Sequence, residues 1–156
     1  MALLHEAIAG IVNKFNVKAL NRFQMDAITK FVDGEDIFIN LPTGYSKSLI
    51  YQSLPLVYDA ILKSPGHIVA VVSPLINLIA DQVSYLESIG VCATCLNAMV
   101  REEDKLGLEQ GKFSIVYGTP KAWLTNERWR SMLNNSTYSK KLCAIAVDEA
   151  HVIKQW

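Results

Sequence analysis

The sequence has no surplus of either charge: Lys plus Arg and Asp plus Glu each number 15 in 156 residues. That balance excludes a uniformly basic nucleic-acid coat or an acidic tail, and confines any polyanion site to a local patch. No apolar run approaches the length needed to span a bilayer. The opening residues, Met1 to Ile8, carry Glu6 and no basic stretch ahead of their apolar positions, so they do not read as a signal peptide. Cysteine is scarce. The three present, an odd number without a secretory context, fit a reducing compartment. Cys92 and Cys95 form a CxxC, but a zinc site needs two further ligands at suitable spacing and none follows. These cysteines are read as small apolar side chains of a buried strand. Repeats and low-complexity segments are also missing, which argues against solenoids and long disordered regions.

What is present suits one α/β domain. About half of the residues (51%) are apolar and 19% charged, ample for a core. Residues 2–32 read as helices: Ala7, Ile8, Ile11, Val12 and Phe15 recur at helical spacing, then Met25, Ile28, Phe31 and Val32, with Asn21 as a cap for the second helix. Residues 37–41 (Ile-Phe-Ile-Asn-Leu) read as a short buried strand, broken at Pro42, with a helix opening at Lys47. Further strands are predicted over 67–72, 91–96, 113–117 and 142–147. Helical stretches lie at 75–89, at 101–110 and around Trp123 and Trp129, and 134–137 reads as a loop. Strands alternating with helices indicate a mostly parallel sheet with helices on both faces. Ligands gather at the carboxyl ends of such strands. Each conspicuous polar cluster here, Thr43 to Ser48, Ser73, Thr119 and Asp148-Glu149, follows a strand.

Two of these clusters carry recognisable chemistry. Thr43, Gly44, Tyr45, Ser46, Lys47 and Ser48 lie between a strand and a helix, the setting of a phosphate-binding P-loop. Backbone N–H groups at the helix N-terminus would face the phosphates, Lys47 would reach the β- and γ-phosphates, and the Ser48 hydroxyl would ligate Mg²⁺. The bland alternative is a Ser/Lys turn capping an ordinary helix. Asp148 and Glu149, two carboxylates ending a strand, match the second half of an Mg-nucleotide site. Asp148 would hold the Mg²⁺ shell, and Glu149 would orient and deprotonate the attacking water. Alone they would be an ordinary solvated pair; both halves in their required settings favour the catalytic reading of Lys47, Asp148 and Glu149.

The longer words around these residues resemble superfamily 2 helicases. Asp148-Glu149-Ala150-His151 is the DEAH form of motif II. The stretches 41–52, 71–82, 117–120 and 146–156 resemble motifs I, Ia, Ib and II of the RecQ family, in the family's order, and Phe15 with Gln24 fits motif 0. The resemblance spans residues 15–156 and implies a RecA-like P-loop lobe over 1–156, with residues 1–32 as a helical segment carrying motif 0 and the second RecA-like lobe outside this chain. It implies a parent ATP-dependent 3′-to-5′ DNA helicase acting in repair and recombination, with ATP and Mg²⁺ as cofactors and single-stranded DNA or a duplex junction as partner. An intracellular location is implied too, the nucleus in a eukaryote or the cytoplasm in a bacterium. By the same resemblance Gln24 reads the adenine edge. Ser73, Pro74, Asn77, Thr119, Lys121 and Trp156 lie along the DNA track, and His151 couples nucleotide to DNA.

The sequence departs from that pattern in two places. Ser46 stands where the family has glycine before the P-loop lysine; a Cβ in left-handed geometry costs about 1–2 kcal/mol. Val17 and Asn21 occupy positions where the family stacks an aromatic ring and an arginine on adenine, with Arg22 only a neighbour. These departures support a rival reading, a degenerate P-loop domain binding DNA or protein without hydrolysis. A small P-loop kinase is a third reading, with motif Ia and DEAH then coincidental. The sequence leaves oligomeric state open.

Overall fold

The computed structural model describes residues 2–37, 47–96 and 102–148. The chain divides into two compact units, residues 1–64 and 65–156.

In the first unit the described residues form three helices, α1 (Ala2–Lys14), α2 (Arg22–Val32) and α3 (Lys47–Leu62), with α3 packed against both others. Leu4, Ala7, Ile11 and Phe15 are buried along one stripe, as three- and four-residue spacing requires. Ile28 of α2 and Ile50, Leu54 and Val57 of α3 are buried in turn. Phe31 meets Tyr58 edge to face at 6.4 Å between ring centroids. Asn16, at φ 53°, takes the left-handed conformation that Asn tolerates better than most residues, just after α1 ends. The strand expected at 37–41 falls outside the described residues except for Ile37, which is in no regular element.

The second unit is built on four parallel strands: β1 (Ile68–Val72), β2 (Ala93–Cys95), β3 (Ile115–Gly118) and β4 (Leu142–Val147), in the order β2-β3-β1-β4. β1 reads Ile-Val-Ala-Val-Val because it is interior; Ile68 to Val71 are at most 2% exposed, so neither face tolerates a polar side chain. α4 (Ile76–Ser88) and α5 (Glu102–Glu109) make the crossovers from β1 to β2 and from β2 to β3. Between β3 and β4 come three short helices, α6 (Pro120–Thr125), α7 (Glu127–Met132) and α8 (Ser136–Lys141). A register shift separates Ile68↔Leu142 from Val69↔Ala144, leaving Cys143 as the extra residue.

One core cluster joins Ile68, Ala70, Leu96, Leu108, Val116, Trp123, Trp129, Met132 and Tyr138. Its two polar tips are satisfied within it. Trp123 Nε1 donates to the Val71 carbonyl at 2.9 Å and the Tyr138 hydroxyl donates to the Leu108 carbonyl at 2.8 Å. Gly118 is required here by close approach: a Cβ on it would lie 2.5 Å from Trp123 Nε1.

Four local expectations need correction. Residues 134–137 are not all loop, because Ser136 opens α8 and the Asn135 side chain caps it, accepting from the Tyr138 amide at 2.8 Å. The helical region around the two tryptophans is two helices divided at Asn126, whose side chain accepts from the Arg128 amide. Cys92 is exposed rather than buried, since it leads into the edge strand β2, and Cys95 is half-buried. The observed strands β2 and β3 are also shorter than the apolar runs that predicted them. No described helix is long and apolar enough to cross a membrane.

Candidate functional site

The parallel ladder brings three sequence-distant polar residues into one row. Val72 pairs with Gly118 on one side and with Val147 on the other, so the next residues, Ser73, Thr119 and Asp148, stand abreast at the carboxyl edge of the sheet. The row is fastened by backbone hydrogen bonds: the Ser73 amide donates to the Gly118 carbonyl at 3.0 Å, and the Asp148 amide to the Val72 carbonyl at 2.8 Å. This is the edge where the polar clusters were expected to converge.

The residues of the row differ in what they offer. Ser73 is 2% exposed and its hydroxyl accepts from the Leu75 amide at 3.5 Å, which turns the chain toward α4. Thr119 caps α6, accepting from the Ala122 amide at 3.2 Å, with Pro120 at the first helical position. Both hydroxyls therefore serve strand-to-helix turns. Pro74 and Asp148 are half-buried, whereas Asn77 and Lys121 are exposed.

Thr119 and Lys121 also line an open groove of about 480 Å³, together with Ile76, Ile79, Lys105 and Arg128. Ser73, Pro74 and Asn77 do not. Arg128 is engaged: Nε and Nη2 approach Glu109 Oε1 at 3.1 and 2.5 Å, and Nη1 reaches Glu102 at 3.1 Å. The hydrogen bond that Arg128 donates to Glu109 chiefly raises the Arg128 pKa above its ordinary value. Its guanidinium lies 5.4 Å from the Trp129 ring centroid. Lys105 lies 3.8 Å from Glu102. Lys121 has no ion pair among the described residues, so it is the groove's uncompensated cation. The Arg128–Glu109 pair and the Gly118–Trp123 contact were not anticipated; their partners lie 19 and 5 residues apart, and no local spacing signals either.

On the helical unit, Lys47 and Ser48 open α3 and both are half-buried. Gln24 is 3% exposed and belongs to a capping box: its Oε1 accepts from the Asn21 amide at 2.9 Å, and its own amide donates to Asn21 Oδ1 at 2.9 Å. Thus Asn21 and Gln24 both terminate α2. Thr43, Gly44, Tyr45, Ser46, Glu149, His151 and Trp156 lie outside the described residues.

A metal or redox role for the CxxC is not supported. Ala93–Cys95 is extended, so residues three apart are separated by roughly 10 Å, beyond the ~7 Å limit for bridging two Cα atoms. Among the described residues no group of His, Cys, Asp or Glu is arranged to hold a metal.

Residues 21–156 match the DEAD/DEAH box helicase family. The chain is 32% identical over 154 residues to the ATP-dependent DNA helicase RecQ of Haemophilus influenzae, covering 96% of this chain and 23% of that protein. It is 32% identical to a putative ATP-dependent DNA helicase Q1 of Caenorhabditis elegans (97% and 24%) and 33% identical to the RecQ-like DNA helicase BLM of Xenopus laevis (92% and 10%). The chain thus spans about a quarter or less of the length of these curated relatives. A match across most of the chain leaves no room for the kinase reading. With a parallel α/β sheet whose motif residues line its carboxyl edge, the chain belongs to the DEAD/DEAH box helicase family.

Proposed function

We propose that this chain is the nucleotide-binding lobe of an ATP-dependent 3′-to-5′ DNA helicase of RecQ type, which binds Mg-ATP and contacts single-stranded DNA. The observation carrying this reading is the row Ser73, Thr119, Asp148 at the carboxyl edge, in a chain that matches the helicase family over residues 21–156.

The donor set suits the ion. The Ser48 hydroxyl and Asp148 carboxylate are hard oxygen ligands of the kind Mg²⁺ takes, and both side chains are half-buried rather than sealed. An Mg²⁺ ion held by Ser48 and Asp148 would supply neutralisation of the negative charge on the phosphates. In this reading Lys47, in the first turn of α3, holds the phosphates with the helix N-terminus behind it. Glu149 is the base for the attacking water, and Thr43 to Ser46 supply backbone amides. His151 relays between nucleotide and DNA. Along the edge, Pro74, Asn77, Thr119, Lys121 and Trp156 form the DNA track; Lys121, exposed and uncompensated, supplies its phosphate contact. Ser73 contributes through the turn it fixes. The isolated lobe has little or no turnover, because the arginine finger of the family belongs to the second lobe, and such a residue contributes about 10³–10⁵ in rate.

A second reading is favoured by one specific observation. Asn21 and Gln24 bond to one another in the α2 capping box, and Val17 offers no aromatic face. Adenine recognition is therefore the weakest part of the site, as a degenerate P-loop module would have it. Calorimetry with Mg-ATP separates the two. Binding that Lys47→Ala abolishes supports the motor lobe; no heat at millimolar ATP sinks it in favour of the module.

A further inference from the structure

Two residues assigned above to the DNA track open α6: Thr119 caps it and the exposed Lys121 lies in its first turn. The helix is only six residues long. A helix this short does not hold its own shape or direction, so another contact must set where Lys121 points. Trp123 is the one buried residue of α6, at 4% exposure. Residues two apart on a helix are turned about 200° from one another, so an indole locked into the core keeps Lys121 on the outer side. The lock has a direction as well as a volume. Trp123 Nε1 donates to the Val71 carbonyl at 2.9 Å, which ties α6 across β3 to β1, two residues before Ser73. On the way the indole crosses Gly118, where a Cβ would lie 2.5 Å from Nε1 and 2.9 Å from Cδ1. Gly118 does not have a positive φ, so clearance for the ring, and not backbone freedom, calls for glycine there.

We propose that Trp123 is a positioning residue for single-stranded DNA: its bond to β1 holds Thr119 and Lys121 at a fixed distance and angle from the turn at Ser73 and Pro74, so that both segments meet one strand together. The proposal rests on the DNA contact assigned above to Lys121. Trp123 itself touches no DNA and acts through that lysine. Filling the core needs only an apolar ring, whereas the N–H selects one orientation of that ring and hence of the helix that carries it. Two further bonds complete the frame. The Ser73 amide donates to the Gly118 carbonyl at 3.0 Å, and Thr119 Oγ1 accepts from the Ala122 amide at 3.2 Å. β1, β3 and the start of α6 are thereby fastened to one another around the row. Without the indole bond α6 is free to rock about its cap, and the lysine ammonium, at the end of a long side chain, moves furthest.

The salt dependence of binding to a fluorescein-labelled oligothymidylate, read by anisotropy, tests it. Each phosphate contact on a single strand contributes about 0.7 to the slope of log affinity against log salt. Lys121→Ala is expected to lower the slope by about that amount. Trp123→Phe lowers it equally, and the double variant lowers it no further, because both changes remove the same contact. Tyr138→Phe, which removes another buried hydrogen bond of the same core, leaves the slope unchanged. Should Trp123→Phe fail to fold by circular dichroism, benzothienylalanine at position 123 decides, since it keeps the bicyclic shape and puts sulfur in place of the N–H. The proposal is overturned, with the DNA reading intact, by a parent slope in either folded variant at position 123. Effects of Lys121→Ala and Trp123→Phe that add overturn it as well, as does a slope that Tyr138→Phe lowers equally. A slope unmoved by Lys121→Ala, or a parent chain that does not bind the oligonucleotide at low salt, overturns the DNA reading and the proposal with it.

Discussion

The two units hold their candidate site residues by different means. In residues 65–156 the site is an outcome of a ladder: Ser73, Thr119 and Asp148, up to 75 positions apart in sequence, are abreast because three strands run parallel in fixed register. In residues 1–64 the candidates sit on helix ends, where Lys47 and Ser48 open α3 and Asn21 and Gln24 close on each other around the first turn of α2. A ladder assembles a site from remote residues at the cost of tight packing behind it. A helix end offers polar groups locally, but its own orphan amides compete for them.

The comparison predicts that the sheet unit tolerates small changes less well than the helical one. Gly118→Ala is the severest test, since the new Cβ collides with the Trp123 ring and breaks its bond to the Val71 carbonyl. A loss of about 2–4 kcal/mol in urea unfolding is expected; a change under ~0.5 kcal/mol would show that Trp123 moves aside freely.

Next comes Tyr138→Phe, which removes the buried hydroxyl's bond to the Leu108 carbonyl, leaving that carbonyl with the Gly111 amide alone, and costs about 1 kcal/mol. Burial, with Glu109 as the lesser cause, pushes the Tyr138 hydroxyl well above its ordinary value. A raised folded pKa means this contribution is complete below the unfolded value, roughly 10, and is lost as pH rises past it toward the folded value. Stability measured from neutral to alkaline pH should therefore fall less steeply above that point in Tyr138→Phe than in the parent chain.

Asn21→Ala removes a cap in the helical unit and should cost about 1 kcal/mol. Comparing it with Gln24→Ala by Mg-ATP calorimetry sharpens the distinction. If Gln24 reads adenine, Gln24→Ala weakens nucleotide binding beyond what Asn21→Ala does; equal effects reduce Gln24 to its capping role. Arg128→Ala should be the mildest. Its pair with Glu102 is exposed on the glutamate side and its pair with Glu109 is half-buried, both within reach of solvent, so a loss of about 0.5–1 kcal/mol that shrinks at high salt is expected. A salt-independent loss would shift the weight to packing on Trp129.

Much of this was legible locally. β4 was read with its observed limits because an apolar run bounded by Lys141 and Asp148 has unambiguous ends, and α4 and α5 were placed to within one residue at either end. Asn21 was recognised as a cap from its position alone. The cap at Asn135 is not legible, because Asn134-Asn135-Ser136-Thr137 reads equally well as loop or cap, and what favours the helix is Tyr138, whose ring is buried in the core. The exposure of Cys92 is not legible in the sequence, because strand composition does not reveal whether a strand is central or at the edge. Gln24 was legible as a motif residue, yet its bond to Asn21 is a matter of side-chain geometry.

The sequence by itself determined the class of sheet, the elements that carry the candidate site residues and the helicase motifs. These are properties of local pattern: uninterrupted β-branched runs, helical spacing, and polar residues placed just past strand ends. Only the tertiary structure decided strand order and register, and hence that Ser73, Thr119 and Asp148 share a row. It also decided that Arg128 is paired with Glu102 and Glu109 and that Gly118 must lack a side chain. The physical reason is common to all three. Hydrogen-bond register and close packing act between residues far apart in the chain, and no local pattern encodes which strand will lie beside which.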